Sequence, residues 1–407
     1  MTTEMKPSGI AWIGDIPLDW NMKKIKFIST LKGRIGWQGL TSDEYTDEGA
    51  YLITGTDFDN GHINWETCVH VHIKRWDEAK DIQVDNGDLL ITKDGTVGKV
   101  AIVDELDSPA SLNSGVLRIA TFDGYDRRFL FWVLQSEVFW TWFSNKNVGN
   151  STIIHLYQGD FAEFSYPTPP LPEQQAIATF LDESCSQIDT IISDLELQVE
   201  ILQKYKKALI TETVTKGLSK TVILKKKLKY VLSICSGDAV TNDMLSDDDS
   251  LFPVFGGGKL IAYYSKTNVT TQNILIGRVG ANCGCITQIE KPSWATDNAL
   301  IVSTTENLKY MYYLLFASNL NGLNDSNAQP LITATKVLNH EILFVEDKKI
   351  QQAISDYIDF KCAEADTLIS EKQHSIDIMR KYKKSLIYEY VTGKKRVPHA
   401  TNKHKED

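Results

Sequence analysis

Apolar side chains in residues 173–217 recur in steps of three, four and seven: Ile177, Leu181, Ile188, Ile191, Leu195, Val199, Leu202, Tyr205 and Leu209. That spacing puts them on one face of a helix. A second run, 350–394, carries the same stripe at Ile354, Ile358, Ala365, Leu368, Ile376, Met379, Tyr382 and Leu386. Neither run contains Pro or Gly before its end, Pro172 precedes the first, and Gly217 and Gly393 stand where a helix should stop. About 43 residues at 1.5 Å each make a rod of roughly 65 Å. A helix of that length cannot bury its stripe inside a domain of this size, so the stripe predicts a helical partner, and its own copy is the obvious one.

The two runs align without a gap at a shift of about 177 residues, with about 20 identities in 45 positions. Upstream the repeat weakens but persists. MKKIKFISTLKGR (22–34) resembles KKLKYVLSICSGD (226–238), GDLLITKDGTVGKVAIV (87–103) resembles QNILIGRVGANCGCITQI (272–289), and FLFWVLQS (129–136) resembles YMYYLLFAS (310–318). The chain is therefore a divergent globular part followed by a near-constant helix, twice over. Constant segments are expected to meet each other or identical partners, while divergent parts do different jobs. Two copies related by an approximate two-fold would run antiparallel and put the globular parts at opposite ends. Lys372 interrupts the stripe where the first copy has Leu195, and the KYKK runs at Lys204 and Lys381 read as solvated faces.

The globular parts read as mixed α/β. Short β-rich runs (AYLIT, DLLIT, KVAIV, VLRIA) lie between Gly, Asp and Asn turn signals, and an aromatic-rich helix follows in each part, Arg127–Phe143 and Asn307–Ser318. The fold class expected is α+β: two mixed α/β domains separated by two long antiparallel helices forming a coiled coil, with a pseudo-two-fold internal repeat. The domains fall at 1–170 and 219–347, the helices at 171–218 and 348–394, and a polar tail at 395–407.

Charge complicates the picture. The net charge is −10, and it is uneven: about −9 in 1–172, −4 in 173–217, +1 in 218–349 and +2 beyond. Simple coating of DNA needs a basic field, so any DNA contact by the first part must use local basic loops or lean on partners. No apolar run approaches the roughly 18 residues of a membrane span. The N-terminus lacks a signal peptide's order, and the six cysteines show no paired spacing. The expectation is a reduced, cytoplasmic protein.

Several segments carry a resemblance. WIGDIPLDW (12–20) is similar to a W-x-G-x-I-P-x-x-W opening, LITGTDFDNGHI (52–63), GDLLITKDGTVGKVAIV and NVGNSTIIHL (147–156) follow in order, and PPLPEQQAIATFLD (169–182) leads into the first helix. Together they resemble the specificity subunits of type I restriction-modification enzymes, over nearly the whole chain. The second half departs: no second PxxW opening stands near residue 220, and FVEDKKIQQ (344–352) replaces the proline-rich lead-in. The resemblance implies that each globular half is a target-recognition domain reading one part of a split, asymmetric double-stranded DNA sequence. It implies helices that set the unread spacer, two docked modification subunits that methylate adenine with S-adenosylmethionine, and restriction subunits that join to cut DNA with ATP. The chain itself would be non-catalytic and bind no cofactor.

Rival chemistry is weak. TPPLP at Thr168 has the wrong first residue and no aromatic for a methyltransferase loop, and GGGK (256–259) is no P-loop, with Pro253 where the first Gly should be and Leu260 in place of Ser or Thr. His62, His70 and His72 lack a completing ligand, and Cys283-Gly284-Cys285 reads as a turn rather than a zinc site. Base reading favours Arg, Lys, Asn and Gln, and phosphate contact adds Ser, Thr and backbone amides. With the resemblance pointing to loops on one side of each half, the candidates are Lys32, Arg34, Gln38, Lys93, Thr96, Asn150, Ser151 and Thr152 in the first half. In the second they are Lys259, Arg278, Asn282, Asn327 and Gln329. The alternatives are an orphan reader serving a methyltransferase without restriction, and an acidic coiled-coil scaffold or inhibitor that binds proteins rather than DNA.

Overall fold

A computed structural model describes residues 4–34, 40–147, 154–218, 221–324 and 330–397. The chain divides into two compact units, Met1–Ser193 with Ile376–Asp407, and Asp194–Ser375. The central helix, Leu171–Lys216, and the distal helix, Lys348–Val391, each contribute residues to both.

In the first unit, β1 (Ser29–Gly33), β2 (Ala50–Ile53), β3 (Val69–Val71), β4 (Leu89–Thr92), β5 (Val100–Ile102), β6 (Ala110–Leu112) and β7 (Val116–Thr121) build two sheets. One is antiparallel, in the order β5-β4-β7-β1. The other holds β6 parallel to β2, with β3 antiparallel on the far side of β2. All four residues of β4 are buried. Side chains alternate across a strand, so Leu89 and Ile91 enter the core with α1 (Arg127–Gln135) while Leu90 packs into the core of the second sheet. The single aromatic helix expected over Arg127–Phe143 is instead two, α1 and α2 (Glu137–Lys146). Ser136 ends one and caps the next: its hydroxyl donates to Val133 O at 2.6 Å and accepts from Val138 N at 3.2 Å.

The second unit repeats the plan with β8 (Leu232–Ser236), β9 (Phe252–Gly256), β10 (Lys259–Tyr264), β11 (Asn273–Gly277), β12 (Ile286–Ile289), β13 (Trp294–Ala295), β14 (Ala299–Thr304) and α3 (Leu308–Ala317). Its antiparallel sheet runs β12-β11-β14-β8, strand for strand the order of the first, and β13 lies parallel to β9 as β6 does to β2.

Within the first unit the helices run antiparallel: Phe180 meets Tyr390 with ring centres 4.5 Å apart, and Asp189 pairs with Lys383 at 2.6 Å. Within the second, Lys206 pairs with Asp366, and Lys372 Nζ donates to Gln198 Oε1 at 2.5 Å. Asp366 and Lys383 are the repeat partners of Asp189 and Lys206. The same ion pair is thus made in each unit with the helices' roles exchanged. Lys372, which broke the stripe, is satisfied at its edge. The stripe itself needs correction. Ile191 and Tyr205, and their repeat partners Leu368 and Tyr382, are exposed at 44%, 47%, 45% and 52%. A helix touching one partner buries only a narrow seam, and a 3.6-residue turn carries every fourth apolar position off it.

Two polar clamps join each helix start to its domain. Buried Gln174 accepts from Asp126 N at 2.8 Å and donates to Pro169 O at 2.8 Å. Buried Gln351 accepts from Asn307 N at 3.0 Å and donates to Val345 O at 2.7 Å. Asp126 and Asn307 are the N-caps of α1 and α3. Two turns on, Asp182 accepts from Trp132 Nε1 at 2.7 Å and Arg128 Nη1 at 3.0 Å, and Asp359 takes Tyr313 OH and Lys309 Nζ in the same way.

Desolvation raises the Asp182 carboxyl above its ordinary value, against the lowering effects of Trp132 and Arg128. A carboxyl raised on folding contributes most while protonated, and that contribution is lost as pH rises through its folded value. Asp182→Asn keeps an acceptor for Trp132 without the partly desolvated charge. Thermal melts should show the variant gaining on the unaltered chain as pH rises from below about 4, the ordinary carboxylate value, towards neutral. Asp182→Ala should cost about 1–2 kcal/mol throughout. A pH-independent difference between Asn and Asp would contradict the assignment.

Candidate nucleic-acid interface

The loops at one end of each antiparallel sheet are fastened by a shared set of backbone hydrogen bonds. In the first unit Lys93 N donates to Gly115 O at 2.8 Å, Leu156 N to Lys93 O at 2.9 Å, Gly98 N to Thr92 O at 2.9 Å, and Asn113 N to Ile53 O at 2.9 Å. In the second, Arg278 N donates to Asn298 O at 3.0 Å, Ile332 N to Arg278 O at 2.9 Å, Gly284 N to Gly277 O at 2.8 Å, and Thr296 N to Phe255 O at 3.0 Å. Each bond has its counterpart. Lys93 and Arg278 therefore occupy the same place, the first residue after the central strand, where four loops meet.

The residues hung on this frame differ. In the first unit Thr96 Oγ1 donates to Gly55 O at 3.1 Å, and Asp94 Oδ1 meets His155 Nδ1 at 2.5 Å. Buried Asp57 holds the neighbouring loop, accepting from Thr54 N at 2.7 Å and Thr67 Oγ1 at 3.0 Å. In the second unit β9 and β10 are joined by Gly257 and Gly258, with φ of 59° and 89°, the left-handed pair that a two-residue hairpin turn requires. GGGK is thus the turn that joins two strands. Thr287 Oγ1 donates to Gly258 O and pins the tip. Arg278 Nη1 donates to Ser236 Oγ at 3.1 Å, so the guanidinium is held half-buried between the ends of β8 and β11. A Cβ on Gly277 would lie 2.0 Å from Asn282 O and 2.6 Å from Gly257 O, so glycine is required for the loops to close.

Of the sequence candidates, Lys93, Thr96, Lys259, Arg278 and Asn282 belong to these loop groups, Thr96 and Lys259 exposed and the others half-buried. Lys32 lies on β1 with its amine 3.5 Å from Asp81. Arg34 departs from expectation. It is 5% exposed, with Nε donating to Leu112 O at 2.8 Å and Nη2 to Ser111 Oγ at 3.4 Å. Burial, with Arg75 nearby, pulls its pKa below the ordinary value. It fastens β6 at the root of the Asn113–Gly115 loop and is not presented at the surface. Gln38, Asn150, Ser151, Thr152, Asn327 and Gln329 lie outside the described residues. Sequence reasoning passed over Asp57, Ser236 and Asn298. Asp57 sits in a quoted motif, but its role depends on Thr67, which no spacing announces. Among the described residues no group of three His, Cys, Asp or Glu side chains stands close enough to hold a metal ion. His62 pairs instead with Asp104 at 2.6 Å. Cys283 is buried and donates to Arg278 O. No described helix is long and apolar enough to cross a membrane.

Residues 17–201 match the family model described as type I restriction modification DNA specificity domain. The chain is 25% identical over 290 residues to the EcoprrI specificity subunit of Escherichia coli, covering 67% of this chain and 70% of that one. It is 26% identical over 208 residues to the MjaVIII specificity subunit of Methanocaldococcus jannaschii, covering 50% of this chain and 47% of that one. With the second, and with other relatives from that archaeon, the match spans about half of their length. Among solved structures, a chain from a study of assembly and conformational transition of the type I R-M system superposes with a TM-score of 0.75 at 13% identity, covering 93% of this chain and 99% of that one. The HsdS subunit from Thermoanaerobacter tengcongensis gives 0.51 at 12% identity, over 93% and 98%. At these identities the superpositions show the fold.

Arg34→Ala should act on stability. Leaving two buried acceptors without their donor should cost about 2 kcal/mol, read as a lower urea midpoint at unchanged slope. Unchanged stability with altered DNA selectivity would return Arg34 to the surface.

Proposed function

Because this chain belongs to the specificity subunits of type I restriction-modification systems, we propose that its two loop groups each read one half of a split, asymmetric sequence in double-stranded DNA. The observation that carries this reading is the identical backbone frame holding different side chains: Lys93, Asp94 and Thr96 in one unit, Arg278 and Asn282 in the other. A common frame approaches duplex DNA in a common way, while unlike tips select unlike bases. Arg278 carries the fork that fits guanine, and Asn282 the amide that fits adenine. Gln38, Asn150, Ser151, Thr152, Asn327 and Gln329, which lie outside the described residues, are base or phosphate contacts proposed from the sequence alone.

The long helices set the span between the two half-sequences and carry two modification subunits, which supply S-adenosylmethionine and methylate adenine. Restriction subunits join the same assembly. The chain performs no chemistry itself. Apolar side chains left exposed along the helices, Ile191, Leu197, Ile201 and Tyr205 on the central one and Tyr357, Phe360, Leu368 and Tyr382 on the distal one, support docking by further protein. Docking also answers the net charge of −10, since partners can provide the phosphate contacts an acidic chain lacks.

A methylation map of host DNA with and without this gene tests the reading. Loss of one split adenine motif is expected, and an unchanged map contradicts it. Arg278→Ala and Lys93→Ala should each weaken selection at a different half-sequence, by about 1–3 kcal/mol per lost base contact. Relaxation of the same half by both variants would contradict the assignment of one reader to each unit.

A further inference from the structure

At the other end of each antiparallel sheet stands a second repeated feature that the reading loops leave unused. Ile25-Lys26-Phe27 and Leu228-Lys229-Tyr230 each form a single 3-10 turn just before β1 and β8. Ile25 N donates to Phe164 O at 3.0 Å, and Leu228 N to His340 O at 3.0 Å, so the turns are anchored alike. Both bury their aliphatic residue and expose their aromatic one, Phe27 at 63% and Tyr230 at 71%. In both the lysine lies over the aromatic ring, 5.1 Å from its centre for Lys26 and 5.2 Å for Lys229.

A lone exposed aromatic needs no explanation. The same exposed aromatic under the same lysine in two otherwise divergent domains does, because neither ring supports its own core. Each step also stands in a local excess of positive charge. Lys24 and Lys26 share the single carboxylate of Glu163, and Lys23 precedes Lys24 on the same strand. In the second unit Lys225, Lys226 and Lys227 line a groove of about 520 Å³ with Tyr230, where Glu341 and Glu346 answer two of them.

Position decides what such a step meets. The register places Ser29 opposite Thr121 and Gly33 opposite Leu117, so the first step and the reading loops lie at opposite ends of β1, and Leu232 opposite Thr304 does the same in the second unit. Five residues of strand separate the ends by roughly 15 Å. The strands that pair with the lysines, Ser165–Thr168 and Glu341–Phe344, lead directly into the central and distal helices. A feature kept in both units also cannot select between unlike half-sequences.

We propose that Lys26-Phe27 and Lys229-Tyr230 are twin docking steps for two copies of one protein partner, each presenting an acidic, apolar-edged surface beside the start of a long helix. This rests on the reading above that two modification subunits dock on this chain, and it names where each is gripped.

The test uses the full chain with its modification subunit. Native mass spectrometry and titration should give two partners on the unaltered chain. Lys26→Glu with Phe27→Ala should weaken one of the two by about tenfold, Lys229→Glu with Tyr230→Ala the other, and the four changes together both. These side chains are exposed, and melting temperatures confirm folding. Unchanged constants in the combined variant overturn the docking steps while leaving the wider reading intact. So does loss of DNA affinity without partner, at low salt, with partner uptake unchanged, which would make the steps phosphate contacts. An unaltered chain that takes up no modification subunit overturns both.

Discussion

A long apolar stripe on a helix needs cover along its whole length: its first turns sit against a domain core, and beyond them it needs another helix. Everything else in this fold answers to that constraint. The central helix alone runs 46 residues, beyond what one small domain can cover, and the chain meets the need by duplicating the helix and pairing the copies antiparallel. Burying a residue such as Leu181 or Ile358 removes it from water for about 1.5–3 kcal/mol. The ion pairs along the seam, Asp189 with Lys383 and Lys206 with Asp366, have exposed carboxylates and contribute little energy. Their value is register: an antiparallel pair that satisfies one of them satisfies its exchanged twin.

The domains take their placement from the helix starts. Gln174 and Gln351 tie the first turn of each long helix to the N-cap of the helix beneath it, and Asp182 and Asp359 add a second tie two turns on. A buried glutamine with both ends bonded tolerates no shift, because either orphaned group would bear a desolvation cost. The sheets grow from this base, and their far ends carry the loops. Rigid backbone fastening with variable tips is what a reader of changing sequences needs, and it separates the frame from the information.

Much of this was legible in the sequence, for reasons that can be named. The repeat was visible because helix packing constrains every third or fourth residue and leaves matching letters at a fixed shift. The strands at AYLIT, DLLIT, KVAIV and VLRIA were visible because buried β positions favour branched side chains. The pairing of Lys93 with Arg278 followed from the strand before each. What escaped depended on partners distant in the chain. Arg34 reads as a surface base contact until Leu112 and Ser111 fold over it. Ser136 reads as helix interior until its hydroxyl finds Val133. Ile191 and Tyr205 fit the periodicity and still face outward, since periodicity gives a face and not its width.

Lengthening the paired helices tests the central claim most directly. Inserting one heptad into each long helix, at matched positions in the seam, preserves the apolar face and adds roughly 10 Å, about three base pairs of DNA. Methylome sequencing of cells carrying the lengthened chain should find both half-sequences unaltered and the unread spacer between them longer by about that much. An unaltered spacer, or a change in either half-sequence, would contradict the account.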